Sequence, residues 1–363
     1  MIAAVSKQGF ASLKSGFFKA SLALAIAYCA LVLPVRAQFM YVTNWGDNTV
    51  SGYSIGTNGA LTSVPGSPYS AGFQPESVAV DQAKFVYVLT GNPQKSVLGF
   101  SIGPHGALRA LPTFPFTTDV NSNSVAVDPV GQFLFIPRAD GQIIVCSILS
   151  DGALTPVPGS PFASGNTPAV AVNPSGTFLF APNAERLAHS IWVYNLASTG
   201  VLTPVKPHIR TENYPQTLVV DPSGKFLYVA NLSNSITGYQ IDLNGVLKPL
   251  PGSPYHEAGG PTTIVADPAS KFVYVTNQNN NTISAYGIKS NGALKPVLNS
   301  PFAAGSVPNA AGVDPAGKFL YVTNFGGATI SGYNIGSNGV ITAISGSPFA
   351  TGTLPGSLAI TSE

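Results

Sequence analysis

The chain has 363 residues, only 9% of them charged, with 38 glycines, 31 prolines and a formal charge of +2. That length holds one large repeat domain or two ordinary ones, and the near-neutral charge excludes the concentrated basic surface that a nucleic-acid or anionic-lipid partner requires. Its two cysteines, Cys29 and Cys146, exclude a disulfide framework and a cysteine-rich zinc site.

Residues 1–37 differ from the rest. Lys7, Lys14 and Lys19 precede an uncharged run over 20–34, and Val35-Arg36-Ala37 puts small residues at the two positions a signal peptidase reads. A cleaved signal peptide over 1–37 is therefore expected, with 38–363 as the mature domain, exported to the periplasm or the extracellular space. A membrane anchor is the competing reading, but the apolar run falls short of the ~20 residues a spanning helix needs. Cleavage removes four basic residues and no acids, which takes the formal charge from +2 to −2.

From residue 39 onward one pattern recurs seven times. Phe39, Phe85, Phe133, Phe178, Phe226, Phe272 and Phe319 each open an apolar and aromatic run with alternating faces, such as Phe319-Leu320-Tyr321-Val322-Thr323. A second run follows (Thr329-Ile330-Ser331-Gly332-Tyr333), then Asn338-Gly339, which supplies the positive φ of a tight hairpin. Upstream of each Phe after the first lies a turn such as Asp314-Pro315-Ala316-Gly317. A period of 45 to 48 residues with four strands per unit predicts an all-β, seven-bladed propeller of four-stranded antiparallel blades. The tail Gly356-Ser357-Leu358-Ala359-Ile360-Thr361 matches the first strand of the other units, so it is expected to complete blade one beside residues 39–44 and close the ring.

Much of the polar chemistry is absorbed by this pattern. Asp81, Asp128, Asp221, Asp267 and Asp314, with Asn173 as the sixth member, are read as turn formers. His105 and Asp151 fall in hairpins, and Cys146 reads as a small buried side chain. What breaks the repeat is a group of ionisable residues in the loops of blades three to five: Arg138 and Asp140, Glu185, Arg186 and His189, His208, Arg210 and Glu212, then His256 and Glu257. Arg guanidinium forks beside a Glu/His pair can hold an anionic or polyhydroxylated ligand and move a proton; solvated loop charges pairing with one another are the plainer reading. No two His fall at ligand spacing with an acid, so neither metal nor cofactor is expected.

Tyr-Val-Thr-Asn at 41–44, 274–277 and 321–324, with Asp-Pro-x-Gly-Lys-Phe-Leu-Tyr-Val at 221–229 and 314–322, resembles the Tyr-Val-Thr-Asn repeat propellers. More narrowly, it resembles the seven-bladed lactonase-type group that contains the bacterial 6-phosphogluconolactonases and the fungal carboxy-muconate cyclases. The resemblance implies a Pro-His-Ala-Val-like segment and a Gly-Pro-Arg-His-like segment in members with lactonase activity. Here these read Pro168-Ala169-Val170-Ala171 and Tyr214-Pro215-Gln216-Thr217, without the His and Arg, and Asn183 stands for the Asp of a neighbouring Phe-Leu-Phe-Val-Pro-Asp segment.

Two functions follow as expectations. The lost family residues, the leader and the regular blades favour an exported, monomeric, non-catalytic scaffold that binds a glycan, peptide or envelope protein. The alternative is a divergent lactone hydrolase with Arg186, His189, Arg210 and Glu212 as catalytic candidates and Arg138, Asn183, His256 and Glu257 as ligand contacts.

Overall fold

A computed structural model describes residues 38–361 apart from 83, 92, 186–188, 257 and 258. The expected signal peptide, Arg186 and Glu257 lie outside the described residues. Seven antiparallel sheets follow one another along the chain, as the period predicts. The inner strands of neighbouring sheets contact one another, which sets the seven sheets around a common axis.

Every blade is built on a second strand that is almost wholly buried, for example Phe226–Asn231 and Phe319–Asn324. β-Branched and aromatic residues on both faces allow this, because each blade is covered on both sides by a neighbour. Seven apolar clusters, each drawing on adjacent blades, fill the spaces between sheets. The expected fourth strand is broken in six blades into two short pieces that pair with the same third strand, as Leu61–Ser63 and Tyr69–Ser70 do with Thr49–Ile55. Blade four instead has one continuous outer strand, Leu202–Arg210.

The ring closes where expected. Pro355–Ile360 pairs antiparallel with Phe39–Asn44, with Met40 opposite Ile360 and Val42 opposite Leu358. Two contacts repeat between consecutive blades. The hairpin Gly of one blade lies under the Phe of the preceding blade, so that a Cβ on Gly59 would fall 2.6 Å from the Phe319 ring and one on Gly106 2.4 Å from the Phe39 ring. Two residues after that Phe, a Tyr hydroxyl donates to the same Gly carbonyl: Tyr41 to Gly106, Tyr87 to Gly152, Tyr228 to Gly292, Tyr274 to Gly339 and Tyr321 to Gly59. Blades three and four carry Phe135 and Phe180 at this position and make no such bond.

The Asp series forms turns as read. The Asp314 carboxylate accepts the N–H groups of Lys318 and Phe319, each at 2.6 Å, and Asn173 does the same for Thr177 and Phe178. Cys146 is buried and free, and burial pushes its thiol up to about 12, the state of an inert packing group.

Candidate functional site

In five blades the inner strand begins with a Pro (Pro75, Pro215, Pro261, Pro308, Pro355) paired with the last residue of the second strand, and the register then slips. That slip re-aims the following side chains. Glu76 and Ser77, Gln216 and Thr217, Thr262 and Thr263, Asn309 and Ala310, and Gly356 and Ser357 line a cavity of about 570 Å³. Blade three adds Asn123 and Ser124, blade four adds Pro168 and Ala169, and Ala184, Leu232 and Gln278 contribute from the loops after second strands. With a contribution from all seven blades, this cavity lies on the axis, at the end opposite the Asp-Pro turns.

The side chains around it tie blade to blade. Ser357 Oγ accepts from Val78 N, and Ser77 Oγ from Val125 N. Asn123 Nδ2 donates to the Thr167 carbonyl at 2.8 Å. Thr217 Oγ1 donates to the Thr262 carbonyl, Thr262 Oγ1 to that of Asn309, and Asn309 Nδ2 to that of Gly356. Among the described residues the circuit has one gap, between blades four and five, where Ala169 holds the place of the Ser or Thr.

Glu76 is the one ionisable residue among the described residues that line the cavity. Its Oε1 lies over Gly91, where a Cβ would stand 2.8 Å away. The residue is exposed, yet the protein around it raises the carboxyl above its ordinary value by desolvation. No hydrogen bond reaches this carboxylate from the described residues, so nothing offsets that shift.

The described residues among those singled out from the sequence lie elsewhere. His189, Arg210 and Glu212 are neighbours in blade four and its exit loop: Thr211 N donates to the His189 carbonyl, and Tyr214 N to His189 Nδ1 at 3.4 Å. Arg210 ends the outer strand opposite Ser190, and both Arg210 and Glu212 are exposed. His256 sits exposed on the outer edge of blade five, opposite Ser235. Asn183 is buried at the end of a second strand, where its Oδ1 accepts from Glu185 N. Arg138 occupies the same register in blade three, bridged to Ser122, and its guanidinium meets Asp140 at 2.6 Å, the single ion pair among the described residues. None of these residues lines the axial cavity. No group of three or more His, Cys, Asp or Glu able to hold a metal occurs among the described residues, and no helix there is long and apolar enough to cross a membrane.

The family model for the seven-bladed β-propeller lactonases matches residues 155–264 and 245–351, together more than half of the chain. This chain belongs to that lactonase family. No curated protein matches the sequence. Among solved structures, this lactonase-family propeller is similar to a putative 6-phosphogluconolactonase from Bacteroides uniformis, with TM-score 0.75 and 18% identity over 89% of this chain and 99% of that one. It is also similar to the Pseudomonas aeruginosa periplasmic gluconolactonase PpgL, with TM-score 0.72 and 17% identity over 90% and 99%. Kuenenia stuttgartiensis hydrazine synthase gives TM-score 0.63 and 16% identity over 84% and 92%, so the fold alone is shared across different chemistries.

Glu76 was not among the candidates drawn from the sequence of this lactonase-family chain. Its signal is positional: it follows the leading Pro of an inner strand, as Gln216, Thr262, Asn309 and Gly356 do.

Proposed function

We propose that the protein is a lactone hydrolase that works in the axial cavity, with Glu76 as the base. The observation that carries this reading is a carboxylate, raised above its ordinary range, in a polar cavity on the axis of a lactonase-family propeller. A base with a raised pKa holds a proton more strongly, and so draws one from water more readily at neutral pH. Glu76 takes a proton from water, and the resulting hydroxide adds to the lactone carbonyl carbon. The ring C–O bond then breaks, and the proton returns to the leaving alkoxide to give an open hydroxy acid. Amide donors from Gln216 and Gln278 are the side chains available to the oxyanion. Similarity to proteins named 6-phosphogluconolactonase and gluconolactonase supports hydrolysis over the scaffold reading.

Export is part of the proposal. It rests on the basic, apolar and small-residue segments of 1–37, and the neighbour PpgL is described as periplasmic.

The test is a panel of lactones against the purified protein, with Glu76→Gln and Arg210→Ala as variants. Hydrolysis is expected to rise with pH through a pKa above the ordinary carboxylate range. Glu76→Gln should lose at least about a hundredfold in kcat and flatten that profile, and Arg210→Ala should be unaffected. Full activity in Glu76→Gln would remove the site from the axis.

A further inference from the structure

We infer that the axial cavity selects uncharged lactones and turns away phosphorylated and carboxylated ones. The word lactone rests on the hydrolase reading above; the selection against anions rests on the cavity itself.

Binding a phosphate or carboxylate takes a guanidinium fork, an ammonium or several convergent N–H donors. Among the described lining residues there is no Lys, Arg or His. Several backbone donors of the lining are also spent: the N–H groups of Thr263, Ala310 and Ser357 go to the hydroxyls of Thr276, Thr323 and Thr43. The amide NH2 groups of Asn123 and Asn309 are held by carbonyls of the next blade. Each of these amides keeps one N–H as well as its Oδ1 for a ligand. A rim of neutral amides and hydroxyls suits the hydroxyl groups of a neutral ring and supplies an anion with no positive charge.

Glu76 adds like-charge repulsion to that mismatch. Juxtaposed like charges in a recess weaken binding steeply. Arg138, at the end of the second strand of blade three, is committed to Asp140. On the blade four and five side, Pro168, Ala169, Ala184 and Leu232 add apolar surface beside Asn166, Gln216 and Thr217. That apolar surface suits the C–H face of a ring or an alkyl substituent. Hydrolysis also turns a neutral substrate into a carboxylate beside Glu76, so the same repulsion speeds release of the hydroxy acid.

The experiment uses matched probes on the whole protein. Hydrolysis of D-glucono-1,5-lactone is compared with that of its 6-phosphate, and calorimetry compares the non-hydrolysable D-glucono-1,5-lactam with the phosphorylated lactam. The neutral lactone should show kcat/KM at least about tenfold above the phosphorylated one, and only the neutral lactam should bind. In Glu76→Gln the binding preference should narrow. Equal or better use of the phosphorylated probe overturns the inference, as does failure of the neutral lactam to bind. Selective binding of the neutral lactam without hydrolysis of any lactone leaves the inference standing and removes the hydrolase reading instead.

Discussion

The Tyr321 hydroxyl donates to the carbonyl of Gly59 at 2.7 Å, joining residues 262 positions apart in the chain. It repeats across the seventh and first blades a bond that four other blade pairs make. Tyr321→Phe removes the donor and leaves a buried carbonyl short of a partner, at a cost of about 1–2 kcal/mol, read from urea unfolding. Phe180→Tyr supplies a hydroxyl where blade four lacks one. It is expected to stabilise by up to about 1 kcal/mol through the Gly245 carbonyl.

The hairpin glycines separate conformational strain from steric contact. Gly59 has φ +80° and the Phe319 ring against it, whereas Gly176 has φ +69° and nothing within 4 Å of a built Cβ. Gly176→Ala should cost only the left-handed backbone penalty of about 1 kcal/mol. Gly59→Ala adds displacement of a packed ring and should cost about 2–4 kcal/mol. Equal midpoints for the two variants would contradict the packing role of Gly59.

The Asp turns carry a similar internal control. Asp314→Ala strands the Lys318 and Phe319 N–H groups and is expected to cost about 2–4 kcal/mol. Asp314→Asn keeps an acceptor, as Asn173 does naturally, and should cost about 1 kcal/mol or less. Thermal or chemical unfolding of both variants against the parent decides this.

His208 stacks on Trp192 with ring centroids 4.1 Å apart and planes 10° from parallel, and its Nδ1 is buried without a partner. Burial, then the Lys206 charge, lowers its pKa. A depressed value in the folded state means that the unfolded chain takes up a proton first as pH falls. Stability from this group is therefore present above the unfolded His value of about 6.5 and declines as pH drops below it. The loss in unfolding midpoint between pH 7 and pH 5, followed by tryptophan fluorescence, should be smaller in His208→Phe than in the parent.

The fold was legible because its signals are local and repeated. Phe39 and its six counterparts, the Asp turns and the Asn-Gly hairpins each announce themselves within a few residues. Closure was legible because residues 356–361 match an inner strand lacking a partner. The axial site proposed here was not, since chemistry was sought in the charged side chains that interrupt the repeat. Arg210, Glu212 and His256 interrupt it because the outer edge and loops face water, where almost any residue is tolerated. The axial residues share no chemistry, only a place: Glu76, Gln216, Thr262 and Asn309 come together because a Pro and a slipped register precede each of them. Counting one residue past each Pro would have found Glu76, but nothing in its composition marks it.

Blade one takes its innermost strand from Pro355–Ile360 and pairs it with Phe39–Asn44, made more than 300 positions earlier. During synthesis, Phe39–Asn44 therefore emerges with one side unpaired and must keep it so until the far end of the domain has left the ribosome. For that whole interval the nascent chain carries an open sheet edge that could pair with another molecule. That exposure ends only when the last strand arrives and the circle shuts.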